Sequence, residues 1–132
     1  VVVATNQSGI ARGLFDMAAL NAIHAEMHRA VGLAGGRIDA IFFCPHAADS
    51  DCGCRKPKPG LLLEVAARMD VDLAEVPMIG DSLRDLEAAA AAGAKPYLVL
   101  TGKGSKTRDA GGLPRGTRVF ADLAALAVQL AP

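Results

Sequence analysis

Every cysteine of the chain lies between Cys44 and Cys54, in Cys44-Pro45-His46 and then, after five intervening residues, Cys52-Gly53-Cys54. Three thiols and an imidazole spaced C-x-H and C-x-C make a complete four-donor set for a tetrahedral structural zinc site. To close it, the chain must fold both arms of the loop onto one point. A disulfide framework fits poorly, because the cysteine count is odd and only Gly53 separates Cys52 from Cys54. Arg55-Lys56-Pro57-Lys58-Pro59-Gly60 follows at once, a group of cations in a turn whose prolines exclude helix. The residues alone leave open whether the metal does chemistry or only holds Arg55 and Lys56 in place.

At 132 residues the chain is expected to form one domain with a sizeable core. A hydrophobic content of 52% against 21% charged residues excludes a disordered polypeptide. Fourteen basic and fourteen acidic residues cancel, so neither nucleic acid nor an anionic membrane is the expected partner. No apolar run is long enough to span a bilayer. Reduced cysteines arranged for metal suit the cytoplasm, and a monomer is expected. The chain opens on Val1-Val2-Val3-Ala4, inside what reads as a buried strand, and the polypeptide is therefore expected to continue upstream.

Val1–Ala4 has the continuous apolar pattern of a parallel strand covered on both faces. Thr5-Asn6-Gln7-Ser8-Gly9 follows at its carboxyl end, where α/β folds place ligand-facing loops. Exposed N–H groups and hydroxyls there suit an anion, phosphate above all. Arg12 either adds charge or is simply solvated. Asp16 or its neighbour caps a helix with Leu20, Ile23, Met27 and Val31 as its apolar stripe, ended by Gly32 and Gly35-Gly36. His24 and His28 share a face, but Glu26 is misplaced for a His-Glu-x-x-His zinc motif, so both read as ordinary helix residues.

Ile38–Cys44 reads as a second strand, with Ile41, Phe42 and Phe43 in the core. A helix opens at Pro59-Gly60 and buries Leu62, Val65, Ala66 and Met69. Asp70–Glu75 reads as a turn. Val76–Ile79 is a third strand, broken by Gly80-Asp81-Ser82, and Leu83–Ala92 is an alanine-rich helix ended by Gly93. A carboxylate straight after a strand and a glycine, beside a helix start, is a strong candidate Mg2+ ligand, the lesser alternative being that Asp81 or Ser82 merely caps the helix. Asp85, one turn on, either hydrogen-bonds into that site or belongs to the acidic first turn that the helix dipole favours. Tyr97–Leu100 is a fourth strand. Thr101–Thr107 looks like a phosphate loop but lacks the G-x-x-x-x-G-K-[ST] spacing, which excludes a nucleotide triphosphatase. Arg118–Phe120 is an edge strand, and Asp122 caps a closing helix carrying Leu123, Leu126 and Leu130. This order predicts a three-layer, Rossmann-like α/β fold with a parallel sheet. The short insertion between Cys44 and Arg55 leaves no room for a large cap domain.

Donors on Thr5, Asn6 and Gln7, cations on Arg55 and Lys56, and a metal ligand on Asp81 are the parts that phosphoryl transfer needs. In joint occurrence and order, Thr5-Asn6-Gln7-Ser8-Gly9-Ile10-Ala11-Arg12-Gly13, Cys44-Pro45-His46, Cys52–Gly60 and Gly80-Asp81-Ser82-Leu83-Arg84-Asp85 resemble the haloacid dehalogenase (HAD) superfamily of phosphohydrolases. Within it, they are more similar to the heptose bisphosphate phosphatases than to the histidinol-phosphate phosphatases.

The resemblance implies a HAD-like fold and Mg2+-dependent phosphomonoester hydrolysis through an aspartyl-phosphate. The implied substrate is a small phosphorylated sugar, with loss of the 7-phosphate of D-glycero-D-manno-heptose 1,7-bisphosphate in lipopolysaccharide-core heptose biosynthesis. It gives Thr5 the transferring phosphoryl group and makes the Thr5–Ser8 loop (Thr5, Asn6, Gln7, Ser8) part of the substrate site. Arg55 recognises substrate, Lys56 stabilises the phosphoryl group and Asp81 ligates Mg2+. Zn2+ in a structural role falls on Cys44, His46, Cys52 and Cys54. Ser82 stands where the best-known form often has lysine, so no substrate contact is implied there. The family's nucleophile and acid–base aspartates form an Asp-x-Asp motif on a central strand, expected upstream of Val1. Two rivals are a histidinol-phosphate or other small phosphomonoester phosphatase and a non-catalytic zinc-stabilised binding module. The second has no use for Asp81 or Mg2+.

Overall fold

The computed structural model describes residues 1–131. They form β1 (Val2–Asn6), α1 (Met17–Leu33), β2 (Ala40–Cys44), α2 (Gly60–Met69), β3 (Pro77–Gly80), α3 (Leu83–Ala92), β4 (Lys95–Val99), α4 (Gly104–Ala110), β5 (Arg118–Phe120) and α5 (Leu123–Leu130). A single 3-10 turn spans Leu73–Glu75. The chain divides into two compact units, Val1–Arg55 and Lys56 onward. No helix among the described residues is long and apolar enough to cross a membrane.

In the first unit, β1 and β2 pair in parallel, from Val2 opposite Ala40 to Asn6 opposite Cys44. The α1 helix connects them, as a parallel pair requires. Asp16 caps α1 by accepting the Ala19 N–H at 2.9 Å. Its inward face runs Leu20, His24, Met27 and Val31, positions that stack at helical spacing. Ile23 lies at the rim of that stripe and is 52% exposed, which corrects the expectation that it packs inward. The β1 strand is only half-buried, because it pairs with β2 alone among the described residues.

In the second unit β3, β4 and β5 form a parallel sheet in that order. The α3 helix lies on β3 and β4, and its Leu86, Ala88 and Ala89 are fully buried, since small side chains let a helix approach a sheet closely. Tyr97, Val99 and Leu126 pack together, with Ile79 and Phe120 against them. In α2, Leu61, Leu62 and Val65 are buried, whereas Met69 is 38% exposed at the helix end. Residues 104–110 form a helix where a loop is expected.

Two parallel sheets of two and three strands therefore stand where one continuous sheet is expected, because no described strand pairs with both β1 and β3. Leu86 is 0% exposed. Leu86→Ala is expected to lower unfolding free energy by about 2–5 kcal/mol in urea denaturation. A loss below about 1 kcal/mol would show that α3 does not close a packed core.

Candidate active site and metal centre

Thr5 and Asn6 end β1, so both stand at the carboxyl edge of a parallel strand. Just beyond, Gln7 donates its backbone N–H to the Cys44 carbonyl at 2.7 Å, and Ala11 donates to the Pro45 carbonyl at 3.3 Å. The polar loop is thus fastened to the start of the cysteine loop by its backbone. Residues 8–14 wind into turns, with Arg12 N–H on the Ser8 carbonyl at 3.0 Å and Leu14 N–H on the Gly9 carbonyl at 2.8 Å. The Gln7 side-chain amide donates to Thr5 Oγ1 at 3.1 Å. As an acceptor toward Gln7, the Thr5 hydroxyl keeps its own proton for a ligand oxygen. Ser8 is half-buried in this loop, and Arg12 is exposed.

Cys44, fully buried at the end of β2, starts the candidate metal centre. Its Sγ is 3.8 Å from Cys52 Sγ and 3.5 Å from His46 Nδ1, and His46 Nδ1 is 3.3 Å from Cys54 Sγ. All four donor atoms lie within 4.8 Å of one another. A tetrahedron built on Zn–S and Zn–N bonds has edges of about 3.8 Å between sulfurs and about 3.5 Å between sulfur and nitrogen. The donor set fits a zinc-sized ion.

Its thiols also respond to one another. Burial opposes ionisation of Cys52, yet the Arg55 backbone N–H and the Cys44 and Cys54 groups bring its pKa down to about 6. Burial and the neighbouring Cys44 and Cys52 push Cys54 up to about 12. A cation at the centre would favour the Cys54 thiolate against both its burial and its neighbours. Arg55 closes the loop with a long contact from its guanidinium to the His46 carbonyl, 3.5 Å. His24 instead sits beside Phe43, ring centroids 6.0 Å apart, and His28 is exposed. Neither joins the cluster.

In the second unit, Lys56 is 8% exposed and donates to Asp85 Oδ1 at 2.6 Å. The other Asp85 oxygen accepts the Ser82 hydroxyl at 2.7 Å and the Ser82 N–H at 3.2 Å, and the second of these bonds belongs to the capping box that starts α3. A Cβ at Gly80 would overlap the Asp85 side chain, so only glycine lets the carboxylate lie against the end of β3. Asp85 therefore serves the lysine and the helix start at once.

Asp81 follows directly. Its Oδ2 accepts the Lys103 N–H at 2.9 Å, and its carbonyl accepts the Thr107 hydroxyl at 2.8 Å. No buried side-chain polar atom lacks a partner among the described residues. A hard carboxylate is the kind of ligand that a small divalent cation takes. Mg2+ takes one or two such carboxylates and completes its shell with water and phosphate oxygens.

Each unit so far holds the polar and charged parts of phosphate chemistry. A HAD-hydrolase-like family profile matches residues 53–126. The chain belongs to the HAD superfamily of phosphatases. This HAD phosphatase is 65% identical over 130 residues to the D-glycero-beta-D-manno-heptose-1,7-bisphosphate 7-phosphatase of Bordetella bronchiseptica, covering 98% of this chain and 73% of that one. The enzyme of the same name from Pseudomonas aeruginosa is 51% identical, over 98% of this chain and 72% of its own length. The crystal structure of D,D-heptose 1.7-bisphosphate phosphatase from B. bronchiseptica, complexed with magnesium and phosphate, superposes with a TM-score of 0.96 at 65% identity. That match covers 98% of this chain and 73% of the other. A HAD-like phosphatase from Mesorhizobium loti superposes at 0.79 with 31% identity, over 98% of this chain and 63% of its own.

Sequence reasoning missed the partner of Lys56 and the contacts of the Gly102–Thr107 segment, the turn before α4 and its first residues, with Asp81. A signal for the second existed: a glycine-rich turn at the carboxyl end of the strand paired with β3. Co2+ titration is expected to give one tetrahedral, thiolate-bound ion per chain, read from its visible d–d and charge-transfer bands. Cys54→Ser is expected to shift and weaken them. An octahedral spectrum, or bands unchanged by that substitution, would contradict the four-donor site.

Proposed function

We propose that this HAD phosphatase removes the 7-phosphate of D-glycero-D-manno-heptose 1,7-bisphosphate with the help of Mg2+, in the route to lipopolysaccharide-core heptose. The observation that carries the reading is the match at 65% identity, over 98% of the chain, to a relative crystallised with magnesium and phosphate. The donor chemistry agrees with it. Thr5, with Asn6, Gln7 and Ser8, supplies hydroxyl, amide and backbone donors for phosphate and sugar oxygens. Arg55 recognises the substrate as a planar cation. Lys56, held by Asp85, neutralises charge on the phosphoryl oxygens. Asp81 holds Mg2+ through the oxygen that Lys103 leaves unengaged. When bound, the ion supplies the charge that offsets phosphate repulsion toward an anionic attacker.

The attacking and acid–base aspartates are proposed to lie ahead of Val1, in the Asp-x-Asp motif that family membership implies, within one HAD-like phosphatase domain. Zn2+ on Cys44, His46, Cys52 and Cys54 is proposed to act as a structural clamp. It would hold Arg55 and, through the Cys44 and Pro45 carbonyls, the backbone of residues 7–11. We place the activity in the cytoplasm, in a monomer without nucleic-acid or membrane partners.

Phosphate release from the heptose bisphosphate is expected to exceed that from histidinol phosphate, to stop with EDTA, and to fall at least about a hundredfold in Asp81→Asn. Equal or faster release from histidinol phosphate would make this a phosphatase of the other branch. Turnover that ignores EDTA and survives in Asp81→Asn would remove Asp81 from the metal. Mapping of a trapped phosphoryl group to a residue within 1–132 would displace the upstream nucleophile.

A further inference from the structure

We propose that the segment from β4 into α4 positions Asp81 for its cation through Gly102, the Lys103 backbone N–H and Thr107, an inference that rests on the Mg2+ reading above. Asp81 is held at both ends by this one segment. The Lys103 N–H takes Oδ2 at 2.9 Å, and the Thr107 hydroxyl takes the main-chain carbonyl at 2.8 Å. These partners lie 22 and 26 residues away in sequence, so neither bond is a by-product of local turn geometry.

Gly102 makes the approach possible. Its φ is +59°, in the region that favours glycine, and a Cβ there would run into Asp81 Oδ2. Only bare backbone brings the next N–H within bonding distance of the carboxylate. The segment that delivers it is itself tied down. Gly104 N–H bonds the Thr101 carbonyl at 2.9 Å, Thr107 N–H bonds the Lys103 carbonyl at 3.0 Å, and Ser105 Oγ bonds the Leu100 carbonyl at 3.2 Å. Lys103 is exposed and acts here through its main chain.

The consequence is chemical. An N–H on Oδ2 blocks bidentate binding and fixes the plane of the carboxylate, which leaves Oδ1 as a single ligand with a set direction. Mg2+ tolerates little deviation from octahedral geometry and sheds water reluctantly, so a pre-aimed ligand matters more to it than to a larger ion. Groups that orient a metal ligand without touching the metal typically contribute about 10- to 100-fold in affinity. Gly102, Lys103 and Thr107 are therefore positioning residues.

Mn2+ serves as the probe, with free ion measured by electron paramagnetic resonance in titrations of the protein and its variants. Gly102→Ala is expected to weaken Mn2+ binding by at least about tenfold, and Thr107→Val by about fivefold, the equivalent of one lost hydrogen bond. In both, turnover is expected to recover at saturating Mg2+, while the Mg2+ concentration for half-maximal rate rises. Lys106→Ala, exposed in the same segment, is expected to bind Mn2+ like the parent. Asp81→Asn separates the two levels of the proposal. If it binds Mn2+ as the parent does, the metal role of Asp81 fails and takes this inference with it. If it loses Mn2+ while folded Gly102→Ala and Thr107→Val bind like the parent, the segment does not position Asp81 and the metal role stands. Should Gly102→Ala not fold, Thr107→Val with an unchanged Tm decides alone: parental Mn2+ affinity overturns the proposal.

Discussion

Lys56 and Asp85 meet where water barely reaches, each 8% exposed, with 2.6 Å between Nζ and Oδ1. Taking two charges out of water costs several kcal/mol per ion, and the contact offsets that only when the remaining polar atoms are also satisfied. Here they are, because Ser82 supplies a hydroxyl and an N–H to the second carboxylate oxygen. A pair of this kind adds little stability over a well-packed apolar substitute. What it secures is position. The same carboxylate that fixes the ammonium also starts α3, and α3 in turn covers β3 and β4 with Leu86, Ala88 and Ala89. The end of β3, the start of α3 and the buried cation are therefore one mechanical unit, with Asp81 between strand and helix.

In the Val1–Arg55 unit the corresponding constraint is the four-donor cluster. Three of the donor separations are close to the edges of a tetrahedron around a zinc-sized ion, all lie within 4.8 Å, and the cluster begins at the buried end of β2. The carbonyls of Cys44 and of Pro45, next to it, also accept the backbone N–H groups of Gln7 and Ala11. A metal in this centre would stiffen the polar loop after β1 as well as the arm that leads to Arg55. The division of labour is physical: soft thiolates suit a structural ion, while the hard carboxylate of Asp81 suits Mg2+.

Much of the fold was legible because punctuation residues carry local rules. Gly93 and Asp122 bounded α3 and α5, and β5 spans Arg118–Phe120 as expected. The gathering of Cys44, His46, Cys52 and Cys54 into one candidate metal cluster was legible because their spacing is short. Contacts across long separations were not. Nothing in the spacing of Lys56 and Asp85, 29 residues apart, tells which carboxylate meets the lysine. The α4 helix was hidden by Gly102 and Gly104 around its start, since glycine lowers helix propensity, and Gly102 is what lets the chain pass close to Asp81. Ile23 and Met69 fitted an apolar stripe by count, yet a stripe read by count does not say where its rim meets solvent.

The central claim, that this HAD phosphatase acts on one phosphate of a bisphosphorylated heptose, is tested most directly by 31P nuclear magnetic resonance. Both phosphates of D-glycero-D-manno-heptose 1,7-bisphosphate are followed during turnover with Mg2+. The account predicts loss of the C7 ester signal and growth of inorganic phosphate, with the anomeric C1 phosphate retained. Loss of the C1 signal first, or no change in either, would contradict it.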